Sequence, residues 1–427
     1  MLFRLAAFAA FVVMSCGPVR AQEHDVLTLD DAIARVLIRH PDLRIYRFVE
    51  MGLRAEADKA ALTPPLHLNA DIENAFGTGK SSGLNSAELS LSLASVLERG
   101  GKREARRALA ASRIDALGLQ RAAKELDLLA EVARRFLDVL AAQELQKIAA
   151  LDLAQRQRTV AAATRRVQAG ASPDSVRLTA EAMLARARLE QSRTKATHEA
   201  AWHRLAVLWG ETNTFKIQSV RGDAFTLPLI ADFSVLSETL KNTPELKRFA
   251  DESRIREARL QLARSTQSAD LEWRVGLRRL QAESDWGLVA GISMPLANAR
   301  RADSDIRIAQ AEMDALALVR ESASLLLDAT LAQAYGQFTA AKIEFEQSRS
   351  DLLPRLLRAE NSAEQAYRSG ALSYLEWALL QSETTATRQQ QLAAAIEAHR
   401  ALIEIQRLTG EPIVIADKQA DMNKESK

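Results

Sequence analysis

A single cysteine, Cys16, occurs in the 427 residues, which excludes a disulfide framework and any metal site built on paired thiolates. Aromatic residues reach only 5%, with 17 Gly and 10 Pro, so breakers are scarce and the chain is helix-rich. Charge of one sign is lacking as well. The 57 basic and 55 acidic residues leave a net charge of +2, so no strong field points to nucleic acid or to a highly acidic partner. No apolar run approaches the ~20 residues of a membrane-spanning helix.

Catalytic and metal-binding patterns are missing too. The six histidines, His24, His40, His67, His198, His203 and His399, show no H-E-x-x-H and no ligand spacing. His198 and His203 stand five apart and share a helix face poorly. "NAFGTGKSS" from Asn74 approaches a phosphate loop, but Asn74 replaces the first glycine and a strand pattern, not a helix, follows. It reads as a loop between strands. With no Ser-His-Asp or paired-carboxylate arrangement to argue, the chain is read as a non-enzyme without cofactors.

What is present begins with an export signal. "MLFRLAAFAAFVVMSCGPVRAQ" has a basic start, an apolar run from Leu5 to Met14 and a small-residue cleavage site ending at Ala21. A second reading takes Val13-Met14-Ser15-Cys16 as a lipobox, with Cys16 lipidated; cleavage after Ala21 is preferred, because Met14 fits a lipobox poorly.

Two helical stretches follow, about 103–169 and 303–369, each roughly 100 Å long at 1.5 Å per residue. No compact domain is that wide. Leu126, Leu129, Val132, Phe136 and Val139 form a coiled-coil-like seam. Each stretch turns at a glycine into a shorter helix, giving helical hairpins 103–209 and 303–409. At the first tip Gly170 suits a C-cap, Ser172 an N-cap and Pro173 the first helical position; at the second, Gly370 ends the helix and Ser373 is the weaker cap. Gly170 and Gly370, and Gly210 and Gly410, both repeat at a shift of 200, and "RHPDLR" returns as "NTPELKR". The chain is a tandem duplication. Its parts are a signal peptide 1–21, a first repeat 22–211, a connector 212–235, a second repeat 236–411 and a polar tail 412–427.

Each repeat also holds two segments of strand period, 66–76 with 86–97 and 271–281 with 286–296. Outer-membrane barrel strands need ~9–11 residues with apolar and polar faces alternating. Trp273 and Trp286 suit an interfacial girdle. Four strands cannot close a barrel, and an unpaired edge is not viable in hydrocarbon, so the barrel must be shared between chains.

At this point the chain resembles the TolC-type outer-membrane efflux channels, and among them the cobalt-zinc-cadmium resistance components. "LTLDDAIARVLIRHPDL", "LERGGKREAR", "GLVAGISMPLANARRADSDI" and "AYRSGALSYLEWALLQSE" carry the resemblance, in this order, over nearly all of the exported chain. It implies a mainly α fold with a pair of membrane β-hairpins, assembled as a homotrimer with one twelve-stranded barrel in outer-membrane lipid and a periplasmic tunnel of twelve helices. Its partners would be a periplasmic adaptor, meeting the hairpin tips at Gly170, Ser172, Pro173, Gly370 and Leu372, and an inner-membrane proton-driven resistance-nodulation-division pump.

In the family, acidic residues six and nine positions after the second tip glycine ring the periplasmic gate, and a tyrosine precedes that glycine by three. Glu376 and Tyr367 match, while Leu379 occupies the second acidic position. Three copies of Glu376 would attract cations and raise their mean pKa by mutual repulsion. The resemblance points to passive export of heavy-metal cations; a multidrug or type I secretion duct shares the same pattern. A periplasmic coiled-coil scaffold or adaptor is the reading of another class, but it would lack paired barrel hairpins.

Overall fold

The computed structural model describes residues 26–212, 219–296 and 298–414. The segment 1–21 expected to be an export signal, Cys16 and most of the tail 412–427 lie outside the described residues. Each half opens with a pair of short helices, α1 Leu29–Arg39 and α2 Pro41–Ala61 in the first, α5 Phe233–Leu240 and α6 Pro244–Ser265 in the second. The starts are encoded locally. Thr28 and Asp31 form a reciprocal capping box on α1, and Pro41 and Pro244 occupy first-turn positions where no N–H is needed. Phe233 lies within the segment 212–235 read as connector, so that boundary is corrected: Leu236 and Leu240 repeat at helical spacing and are buried.

Strands β1 His67–Glu73 and β2 Glu88–Leu97 precede the long helix α3 Lys102–Gln168 and its return α4 Asp174–Ala206; β3 Leu271–Leu280 and β4 Asp285–Ser293 precede α7 Asn298–Gln347, α8 Leu353–Ser369 and the return α9 Tyr374–Thr409. Helix α3 runs unbroken for 67 residues, through Gly118. Its counterpart does not. A π-helical turn, Ser348–Leu352, separates α7 from α8. Pro354 has no N–H for a carbonyl one turn back and its ring crowds that carbonyl, so the chain widens just before it.

The helices pack as four columns at each of two levels. Nearer the strands, α2 lies on α3 (Lys124–Asp42 2.9 Å, Arg113–Glu56 3.2 Å), α3 on α6 through Leu109, Ala116 and Ile255, and α6 on α7 (Arg259–Glu312 2.6 Å). Farther away α4 and α9 flank the second half of α3, and α9 packs on α7. Two long columns thus run beside two columns made of stacked shorter helices. Of the seam, Val132, Phe136 and Val139 are fully buried, with Leu126 and Leu129 half-buried. The largest cores, one around Phe136, Trp202 and Leu205 and one around Leu331, Phe338 and Leu402, sit where the levels meet. Above them, the four strands form one antiparallel sheet in the order β1-β2-β3-β4.

Candidate functional site

No described helix is long and apolar enough to cross a membrane. The sheet is different. Register pairs Ile72 with Leu89, Leu91 with Leu277, Leu93 with Val275 and Leu277 with Leu288, so all share one face with Leu68, Ala290 and Ile292. Leu68, Leu91, Leu277, Leu288 and Ile292 are 53–75% exposed on that face, an apolar surface that water would not tolerate over this area. The other face carries Asn69, Asp71, Glu73, Glu88, Ser90, Ser92, Glu272, Arg274 and Arg278. Arg278 donates to Ser90 Oγ at 2.9 Å and Glu88 at 2.7 Å and pairs with Glu73 at 3.3 Å. This is the alternation of a barrel wall, with lipid on one side and an aqueous lumen on the other.

Trp273 pairs with Ile292 at the end nearest the helices, and Trp286 pairs with Arg279 at the hairpin end. Six residues of strand separate their levels, about 20 Å at ~3.3 Å per residue, close to the ~25 Å apolar band of an outer-membrane barrel. The "NAFGTGKSS" segment closes the β1–β2 end as a loop, held by Phe76 N–H to Gly83 O at 2.7 Å and Gly77 N–H to Ser81 O at 2.8 Å, and β2 follows it. Gly276 faces Ser92 so closely that a Cβ would lie 2.5 Å from Leu91 O and from Ser92 Cβ. Among the described residues, strands β1 and β4 have no outer neighbour.

The opposite end of the molecule is the pair of hairpin tips. Both end their first helix in a Schellman turn: Ala171 N–H donates to Arg166 O and Gly170 N–H to Val167 O, and Ala371 and Gly370 repeat this with Ala366 and Tyr367. Gly170 and Gly370 have φ of +68° and +87°, the left-handed region that glycine enters without strain. The predicted cap at Ser172 is corrected. Helix α4 starts at Asp174 behind Pro173, and the Ser172 hydroxyl instead accepts from Arg166 Nε at 3.3 Å. At the second tip the weaker candidate is the complete one. Ser373 Oγ accepts from Glu376 N–H at 3.3 Å, and Glu376 Oε2 accepts from Ser373 N–H at 3.1 Å and Ser373 Oγ at 2.6 Å.

Glu376 is therefore exposed but tied into its own helix start. The Ser373 hydroxyl, then its backbone N–H, hold the carboxyl below the ordinary glutamate value, the reverse of the rise expected from repulsion in a ring; that rise needs neighbouring copies, while the cap acts within the chain. Tyr367 does not face an opening. It is 2% exposed, stacks on Trp377 at 5.0 Å and meets Tyr374 edge-on at 6.3 Å. Burial pushes its phenol up, against the lowering effect of Arg166. Leu372 packs beside this cluster, and Leu375 and Leu379 stand 71% and 68% exposed on the outer face of α9.

Sequence reasoning passed over two arginines that join the halves. Arg166 donates to the Tyr367 carbonyl and lies 5.0 Å over the Tyr367 ring, stapling one tip to the other. Arg156, 5% exposed, reaches Asp152 at 3.1 Å, Gln381 Oε1 at 3.0 Å and Ser382 Oγ at 3.1 Å, while Thr159 and Gln381 bond to each other. Their one signal in the sequence is an arginine on an apolar, Ala-rich helix face. Among the described residues, no group of three or more His, Cys, Asp or Glu side chains is placed to hold a metal ion.

A barrel-type sheet on a long, doubly repeated helical bundle is shared with known proteins. The sequence profile of the outer membrane efflux protein family matches residues 32–211. The cobalt-zinc-cadmium resistance protein CzcC of Cupriavidus metallidurans is 26% identical over 352 residues, covering 82% of each chain. Among solved structures, CusC superposes with a TM-score of 0.74 at 18% identity, covering 90% of this chain and 92% of that one. The outer-membrane channel OprN gives a TM-score of 0.74 at 21% identity, covering 90% of each. The first half of the chain thus matches the outer membrane efflux proteins, and the whole has the TolC-like fold, that of an outer-membrane channel with a periplasmic helical extension rather than of an enzyme.

Proposed function

We propose that the chain is the exit duct of a tripartite efflux system, working as a homotrimer, and that its cargo is heavy-metal cations. The carrying observation is the four-stranded sheet with one apolar and one polar face and, among the described residues, both edges unpaired. In hydrocarbon, β1 and β4 need strand neighbours, and three copies joined edge to edge supply them in a closed barrel. The order α2, α3, α6, α7 supports the same assembly. It leaves α2 and α7 at opposite edges, each with exposed apolar side chains, Phe48 and Met51 on one, Leu318 and Leu325 on the other.

Cargo is supported by the 26% identity to a protein named for cobalt, zinc and cadmium resistance and by lumen charge. The polar face carries Asp71, Glu73, Glu88, Glu272 and Asp285 against Arg274 and Arg278, an acidic lining that concentrates cations. The described residues offer no ligand cluster, so selection among metals falls to the pump that loads the duct. The tips, with Gly170, Pro173 and Gly370 exposed and Ser172 and Leu372 half-buried, are the surface offered to a periplasmic adaptor. Glu376 is the gate carboxylate in this reading, with Tyr367 packed behind it as the support of the tip.

Two measurements test the proposal. Purified protein in a planar bilayer should show steady, cation-preferring conductance; absence of conductance from a detergent-stable trimer would remove the duct. Deleting the gene should sensitise cells to zinc, cobalt or cadmium. Sensitivity only to detergents and dyes would overturn the metal cargo and leave the channel standing.

A further inference from the structure

Two adjacent arginines on β3 are treated in opposite ways. Arg278 points into the lumen and is neutralised by Glu88 and Glu73. Arg279 points to the apolar side, in register with Leu89 on β2 and Trp286 on β4, is exposed and has no ion-pair partner among the described residues. Its guanidinium lies over the indole of Trp286, 5.6 Å from guanidinium carbon to ring centroid. Trp286 is itself 64% exposed, and Leu277 and Leu288 continue the same face toward the membrane interior.

A guanidinium on a lipid-facing surface is expensive unless it meets an anion at the interface. The position supplies that interface: Arg279 lies one pair from the β3–β4 turn, at the end of the sheet away from the periplasmic helices, so it stands at the outer leaflet. The tryptophan beside it marks the headgroup level and holds the guanidinium plane in place. The planar fork matches phosphate oxygens in pairs.

We propose that Arg279 and Trp286 form a docking site for a phosphate group of the outer-leaflet glycolipid, one on each protomer around the rim of the barrel. The site rests on the barrel reading above. Bound phosphate would supply the charge partner that Arg279 does not find among the described residues, and it would fix the depth and rotation of the barrel in the leaflet.

Full-length protein purified in detergent, incubated with bisphosphorylated lipid A, with phosphate-free lipid A or with phosphatidylglycerol, and read by native mass spectrometry, tests this. Wild type should retain bisphosphorylated lipid A in preference to both other lipids. Arg279→Gln should bind it about fivefold more weakly, the factor expected for one basic side chain at an anionic surface, and Arg279→Lys should keep most of the binding. Equal retention by Arg279→Gln, or equal binding of the phosphate-free lipid, overturns the site. Phosphatidylglycerol held as well as lipid A overturns the glycolipid assignment. The same spectra give the oligomer mass, and a monomer would overturn the barrel itself and the site with it.

Discussion

Arg156→Met should loosen the lower tunnel, and the contacts set the size of the effect. The side chain is 6% exposed and its partner Asp152 17%, so both charges are largely out of water. Breaking a buried pair by removing one partner costs about 3–5 kcal/mol, because the remaining charge stays buried. Here Asp152 keeps a hydroxyl donor, Thr385 at 3.2 Å, and Gln381 keeps Thr159 at 3.0 Å, which places the loss near the lower bound, about 3 kcal/mol. Because the contacts join α3 to α9, the loss should appear as a lower apparent melting temperature of the detergent-solubilised protein followed by far-UV circular dichroism. Replacing both partners, Asp152→Leu with Arg156→Met, removes the stranded charge and should recover much of the loss. The order of melting should be wild type, double variant, single variant. A single variant that melts with wild type, or a double variant less stable than the single, would refute the account.

What could be read from the sequence follows from how local each signal is. Strand β2 was legible because Leu89, Leu91 and Leu93 alternate with Ser90 and Ser92, and a wall between lipid and water makes period two visible within one segment. The hairpin tips were legible because a Schellman turn needs a left-handed residue, and Gly170 and Gly370 repeat at one shift. Ser373 was underrated although Ser-x-x-Glu, the capping-box pattern, was in view at Ser373 and Glu376. The start of α5 was hidden because Asp232 stands among Pro228, Leu229 and Ile230, where breaker and apolar residues mask a two-turn helix. Arg156 and Gln381 were out of reach, since 225 positions separate them and nothing in either segment announces its partner. Pro354 lies inside the stretch 303–369 read as one helix, and nothing there announces that the chain opens into a wider turn five residues long just before it.

The remaining predictions address acid stability, the barrel wall and the gate. His399 is fully buried, and burial, working against the Ala224 backbone and the Asp223 carboxylate, lowers it to about 4. The folded state therefore holds the neutral ring, and its contribution is complete above the unfolded value of ~6.5 and declines as pH falls toward 4. His399→Leu should flatten the fall of melting temperature across that window, and an unchanged slope would assign acid sensitivity to other groups. Gly276→Val should abolish the heat-resistant trimer on gels, since its Cβ meets Leu91 O at 2.5 Å, whereas Gly287→Ala, with nothing within 4 Å, should preserve it; equal behaviour would refute the strand packing. At the second tip, the proposed gate charge and the helix cap must be separated, because one carboxylate would serve both. Glu376→Gln removes the charge, yet a glutamine at this position still accepts from the Ser373 N–H and completes the box. Glu376→Ala removes both. If Glu376 governs ion flow, both variants should lower cation preference, read as reversal potential across a salt gradient in a planar bilayer, while only the alanine should also lower the melting temperature. Unchanged selectivity in the glutamine variant would make Glu376 a capping residue alone and pass the constriction to Leu375 and Leu379, the exposed apolar pair on the same turn of α9.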